Sequence, residues 1–180
     1  MMRPIKAFGE PVVNLIALKP YVNHQVMLDA ANPPRRHYYW KSEYLPGLSD
    51  AAIETSISYA QRLSSPLTGV FFFQLGGAIS HGGKDETAAS HRDVAFVLNI
   101  NTSWIDLNES SRHIQWTREF WAAMRPFSTG GVYMNFLTAD EGEERIRAAY
   151  GASYDRLVAL KNTYDPTNLF RVNQNIKPTV

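Results

Sequence analysis

The run VAFVLNINTSW, residues 94–104, sets the tightest limit on what this chain can fold into. Side chains alternate across a strand, so Val94, Phe96, Leu98 and Ile100 share one face, and Ala95, Val97, Asn99 and Asn101 the other. The first face is apolar throughout and needs a cover. The second passes from apolar to amide, the pattern of a sheet covered on one side only. Asn99 and Asn101 therefore either meet solvent or contact something that docks on the open face.

The rest of the chain supplies partners for such a strand. HYYWKSEYL (37–45) is aromatic-rich and bounded by Arg35-Arg36 and Pro46-Gly47, which predicts a strand entering a turn. Leu67 to Leu75 holds Val70, Phe71, Phe72 and Phe73 in an unbroken row, read as a central strand covered on both faces and stopped by Gly76-Gly77. GVYMNF (131–136) reads as a fourth, short strand with Tyr133 and Asn135 on one face. Between these lie helical patterns. Ser49-Asp50 opens a helix with Ile53, Ile57 and Ala60 as its core stripe, closed by Ser64-Ser65-Pro66. Ser110-Ser111 leads into another with Trp116, Phe120, Ala123 and Phe127 along one side, broken by Pro126 and Gly130-Gly131. Thr138 or Asp140 is placed to cap a third, with Glu141, Glu143 and Glu144 in its first turn, Ile146, Ala149 and Tyr150 buried, and Gly151 at its end. At least four strands alternating with helices predict an α+β fold, a largely antiparallel sheet with helices packed on one face.

Pro4, Pro11, Pro20, Pro33 and Pro34 make residues 1–34 an extended, turning entry segment in which only Val12 to Leu18 forms a short element. Residues 35–180 then form one domain, and 44% hydrophobic content gives it a sizeable core. Charge excludes some functions. Eighteen basic residues against 17 acidic, in no runs, offer no field to nucleic acid. No apolar run approaches the ~18 residues of a membrane span, so the chain reads as soluble and cytoplasmic. Zero cysteines exclude disulfides and thiolate chemistry. His81 and His91 lack a third ligand at metal spacing, so no metal is expected, and Arg92 is read as the anchor of the loop from Ser80 to Asp93.

The chain's last ordered pattern runs from Tyr154 to Ile176, YDRLVALKNTYDPTNLFRVNQNI. Leu157, Leu160 and Tyr164 stand at i, i+3 and i+7 on one helix face. Asp165-Pro166 ends that helix at Tyr164, because the residue before proline leaves the helical region and proline has no N–H to give. Asp165 can cap the turn that follows. Asn173, Gln174 and Asn175 then stand together, and three adjacent amides after a formed turn imply docking.

This C-terminal pattern closely resembles that of the berberine-bridge-enzyme-like flavin oxidases, a branch of the vanillyl-alcohol-oxidase type of FAD-dependent oxidoreductases. LGGAISHGGKDETAASHRD (75–93), the strand to Trp104, GVYMNF and RIRAAYG (145–151) fit the same family in the same order, and the family's C-terminal motif corresponds to about residues 133–178. The resemblance implies a substrate-binding domain whose open sheet face roofs the flavin ring. It implies Tyr133 as catalytic base, Asn135, Asn173 and Asn175 on the cofactor side, and Val97, Asn99 and Asn101 on the substrate side. It further implies that FAD is held mainly by a binding domain outside these 180 residues, in the same or a partner chain.

The function so implied is the oxidation of an alcohol or amine of a small molecule by hydride transfer to flavin. Loss of hydride leaves a proton on oxygen or nitrogen, which a phenolate can take when a nearby positive charge stabilises it. The sequence does not identify that charge. The isolated chain is expected to be inactive. A different class stays open: a stand-alone small-molecule-binding or oligomerisation module without flavin, whose exposed sheet face pairs with a second copy.

Overall fold

The computed structural model describes residues 4, 7–10, 14, 16–83, 86–89 and 91–180, and the chain divides into two compact units, 1–35 and 36–180. In the first unit helix α1, Tyr21–Gln25, begins directly after Pro20 and passes into a 3-10 turn, Val26–Ala31. Of the element expected over Val12 to Leu18, residues 12, 13 and 15 lie outside the described residues, and Asn14 and residues 16–18 are in neither helix nor strand.

The second unit is built on three antiparallel strands, β1 (His37–Leu45), β2 (Gly69–Gln74) and β3 (Phe96–Trp104), with β3 in the middle. The register sets Leu45 and Gln74 opposite Phe96, and Tyr44 and Phe73 opposite Val97. Helices α2 (Asp50–Ala60) and α3 (Ser110–Met124) cover one face of this sheet. Leu45, Leu98 and Ile100 pack there against Ala52 of α2 and against Trp116, Phe120 and Met124 of α3. Two shorter helices follow, α4 (Glu143–Tyr150) and α5 (Tyr154–Tyr164). The α+β class and the helix-covered face are as the sequence pattern requires. So is the alternation of β3, the end of α5 at Tyr164, and the Ser49 cap, whose Oγ accepts the Ala52 N–H at 3.3 Å.

Several details differ, each for a physical reason. β2 is an edge strand: its Val70 and Phe72 pack on the core, but Phe71 and Phe73 stand half exposed on the other face. GVYMNF is no strand. Two bonds tie its entry to β1, Thr129 N–H to the Tyr44 carbonyl at 2.9 Å and Tyr44 N–H to the Gly131 carbonyl at 3.0 Å. The chain then curls into a 3-10 turn, Met134–Phe136, closed by Phe136 N–H on the Tyr133 carbonyl at 2.8 Å. On α2 the buried side is Ala52 and Ser56, so Ile53 and Ile57 face outward. Small residues allow the close approach of α2 to Met124, to which Ser56 Oγ comes within 3.5 Å. Leu160 and Tyr164 of α5 are likewise exposed. Gly142, not Thr138 or Asp140, sits at the N-cap of α4, because both of those side chains are drawn into an ion network.

That network fixes the route to the site. Glu43 is wholly buried, accepts from Trp121 Nε1 at 2.7 Å and from the Ser128 hydroxyl, and pairs with Arg145 at 3.0 Å. Arg145 also donates to the Gly130 and Ser42 carbonyls, both at 3.1 Å, and meets Glu141 at 3.3 Å. Lys41 joins Glu141 at 2.8 Å and Asp140 at 3.3 Å. Burial pushes the Lys41 ammonium down, but the bond and charge of Glu141, with Tyr39 and Asp140, outweigh it and hold it above its ordinary range. Burial raises the Asp140 carboxyl, yet hydrogen bonds from Thr138, Tyr39 and Arg118 leave it far below the usual carboxylate range. Residues 128–145 are thus stitched to the edge of β1.

Candidate functional site

The segment leaving this stitch is delivered to the face of the sheet that the helices leave uncovered. Gly131 makes the delivery possible, since a Cβ there would lie 2.5 Å from Cε1 of His91. Tyr133 follows, 40% exposed, with its ring edge-on to Phe136 at 5.1 Å. Its hydroxyl oxygen accepts a hydrogen bond from Asn135 Nδ2 at 2.7 Å. The 3-10 turn, rather than strand alternation, brings these two side chains together.

Beside them lies a cavity of about 420 Å³ lined by Tyr44, Phe73, Val97, Tyr133 and Phe136 from the sheet face and the turn, and by Leu75, Ile79, Ala89, His91 and Arg92 from the long loop. Tyr44 is buried, and its ring lies 5.0 Å from that of His91. His91 Nε2 donates to the Ala148 carbonyl at 2.8 Å, which fixes the ring. Burial, assisted by nearby Tyr133, pushes the Tyr44 phenol up to about 12. Arg92 donates to the Ile79 carbonyl at 3.0 Å, the His81 carbonyl at 3.3 Å and Thr87 Oγ1 at 2.6 Å, so it anchors the loop through backbone bonds as expected. Its Nε is buried without a partner.

The expected site residues separate into two groups. Val97, Tyr133 and Asn135 meet at or beside the cavity. Asn99 and Asn101 continue the Val97 face along β3, Asn99 buried between Ser42 and Phe71 and Asn101 half-buried between Trp40 and Gly69, and neither lines the cavity. Asn173 and Asn175 are not brought to Tyr133. Asn173, at φ 62, borders a depression with Leu137 and Glu141, and Asn175 borders another with Tyr150 and Lys161. Between them Gln174 Nε2 donates to the Leu137 carbonyl at 2.9 Å, so that one amide of the three docks on the chain itself. Sequence reasoning missed Tyr44, which alternation alone would have placed beside Val97 had the register been known, and it read His91 and Arg92 only as loop residues.

The lining was tested against a flavin. Its apolar rings, tilted or edge-on to one another, and its phenol–amide pair suit the ring end of such a group, whereas the described lining has no glycine-rich helix start for a pyrophosphate. Among the described residues no group of three histidines, cysteines or carboxylates could hold a metal, and no helix is long and apolar enough to cross a membrane.

Comparison with known proteins points the same way. Residues 132–177 match the family model "Berberine and berberine like". A FAD-linked oxidoreductase of Dictyostelium discoideum is 28% identical over 177 residues, covering 97% of this chain and 38% of that protein. Tetrahydroberberine oxidase of Berberis wilsoniae is 26% identical over 85% of this chain and 32% of its own length. Among solved structures, BBE-like 1 of Physcomitrella patens superposes with a TM-score of 0.71 at 27% identity, covering 84% of this chain and 33% of that one. The chain thus spans about a third to two-fifths of these relatives' length.

Proposed function

We propose that this chain, whose residues 132–177 carry the berberine-like domain and which is similar along nearly its whole length to FAD-linked oxidoreductases, is the substrate-facing part of such an enzyme. The observation that carries the reading is the Tyr133–Asn135 pair at the mouth of an apolar cavity on the open face of the sheet. FAD, held mainly by a domain beyond these residues, would accept a hydride from the carbon of a small alcohol or amine. The chain's own residues do the rest. Val97, Phe73 and Phe136 hold the substrate's apolar body and exclude water. Tyr133 Oη, as phenolate, takes the proton from the substrate's oxygen or nitrogen as the C–H bond breaks, and the Asn135 N–H bond stabilises that oxygen while it is charged. Asn173 and Asn175 serve the cofactor side by docking the flavin domain, and Asn99 and Asn101 lie where a longer substrate would extend.

The test is Tyr133→Phe in the flavin-loaded protein. We expect kcat/KM to fall by about 10²- to 10⁴-fold at unchanged flavin content. A loss of less than about threefold would remove Tyr133 from the role of base. If the protein purified from its source shows no flavin absorption at all, the binding-module reading takes its place.

A further inference from the structure

Tyr133 and Asn135 are brought together by a 3-10 turn of only three residues, Met134–Phe136. So short a turn has no direction of its own, and the peptides that enter it must supply one. Gly130 is the pivot of that entry. Its φ is 85, and a Cβ there would meet nothing within 4 Å, so conformation and not space asks for glycine. Thr129 and Gly131 on either side bond to the backbone of Tyr44, whereas the two polar groups of Gly130 are held by side chains. Its N–H donates to Ser128 Oγ at 2.9 Å, and its carbonyl accepts from Arg145 Nη1 at 3.1 Å. Both holders end on one group. Ser128 Oγ donates to Glu43 Oε2, Arg145 Nη2 pairs with Glu43 Oε1 at 3.0 Å, and Trp121 Nε1 donates to that same oxygen at 2.7 Å. A wholly buried carboxylate thus reaches both ends of a single peptide.

Glycine holds such a conformation poorly unaided, because it reaches negative φ as readily. A clamp on it can serve the fold or the site. The fold scarcely needs the Ser128 hydroxyl, since without it Glu43 keeps Arg145 and Trp121, and Thr129 and Gly131 keep Tyr44. The site does need it, because a displacement of about 1 Å in a reacting group can cost about a hundredfold in rate. Resting on the reading of Tyr133 as base, we infer that Ser128 is a positioning residue: its hydroxyl, backed by Glu43 and matched by Arg145 on the carbonyl, locks the Gly130 peptide and so sets the angle at which Tyr133 and Asn135 meet the cavity.

The experiment makes Ser128→Ala and Ser128→Thr in the 180-residue chain and in the flavin-loaded protein. In the chain the readout is NMR, the shift of the Asn135 side-chain amide and its NOEs to the Tyr133 ring. Ser128→Ala is expected to change both, and Ser128→Thr, which keeps a hydroxyl, to leave them in place. In the loaded protein Ser128→Ala should lower kcat by about 10- to 100-fold with KM and flavin content within about twofold, and Ser128→Thr should restore kcat to within about threefold. Unmoved Tyr133 and Asn135 signals in Ser128→Ala, a loss in Ser128→Thr as large as in Ser128→Ala, or a change confined to KM would overturn the inference. So would a Ser128→Ala chain that fails to fold, since the hydroxyl would then hold the fold rather than the ring. If the NMR signals move while neither Ser128→Ala nor Tyr133→Phe changes kcat, the placement by Ser128 stands and the reading of Tyr133 as base falls.

Discussion

The two faces of the β-sheet treat charge in opposite ways. On the helix-covered side, Lys41, Glu43, Asp140, Glu141 and Arg145 form a network in which every charged group meets an opposite charge, with Trp121, Ser128 and backbone carbonyls taking up further hydrogen bonds. On the open side, the cavity is lined by phenols, phenyl rings, aliphatic side chains and His91, with Arg92 bonded to two carbonyls and a hydroxyl of its own loop. Buried ion pairs seldom add net stability over a well-packed apolar core, but they hold one geometry because losing any member strands the others. The network therefore reads as the device that fixes residues 128–131, and the open face as the largely apolar side to which they lead.

The largest expected effect breaks the paired side. Glu43→Gln keeps shape but leaves Arg145 facing a neutral amide inside the stitch, and by the cost of halving a buried pair we expect about 3–5 kcal/mol of lost stability in urea unfolding. A loss under about 1 kcal/mol would mean that water or Glu141 compensates and that the stitch does not set the geometry. A smaller effect sharpens the link between the two faces. Gly131→Ala drives a methyl into the His91 ring, with an expected cost of about 1–3 kcal/mol. His91→Ala should relieve it, so the double variant ought to be less destabilised than the two single losses summed. Strict additivity would show that the contact is not what keeps position 131 glycine.

What could be read in the sequence followed the same divide. Periodicity located the three strands and helices α2 to α5, since each carries its own pattern, and gave the buried face of β3 correctly, but it missed α1 at Tyr21–Gln25 and added a strand at 131–136. It misplaced whatever depends on neighbours. Phe71 and Phe73 look like core until the strand order makes β2 an edge, and Ile53 and Ile57 look like a stripe until Ala52 and Ser56 turn out to meet α3. The Lys41–Glu43 alternation shows two charges on a core-facing side, but their partners come from about a hundred residues away and no local pattern names them. Tyr133 and Asn135 were recognisable as a motif, although a 3-10 turn and not a strand pairs them. The cavity was not legible, because Tyr44, Val97 and His91 meet only through the register.

The finest comparison is between the two phenols of the cavity. Tyr133 is 40% exposed, whereas Tyr44 is buried and its phenol is pushed up to about 12, first by burial and then by Tyr133. A group whose folded value lies above its unfolded value near 10 contributes stability that is fully present below pH 10 and is lost as pH rises through the folded value. Urea unfolding followed from about pH 9 to about pH 12 should therefore show stability falling, with about 1–2 kcal/mol of the fall due to Tyr44. Tyr44→Phe keeps the ring against His91 and removes the ionisable oxygen, so its curve should be flatter over that window by this amount. A Tyr44→Phe curve as steep as that of the unchanged chain would mean that burial does not hold the Tyr44 phenol protonated, and the contrast between a buried inner phenol and an exposed outer one would have no energetic content.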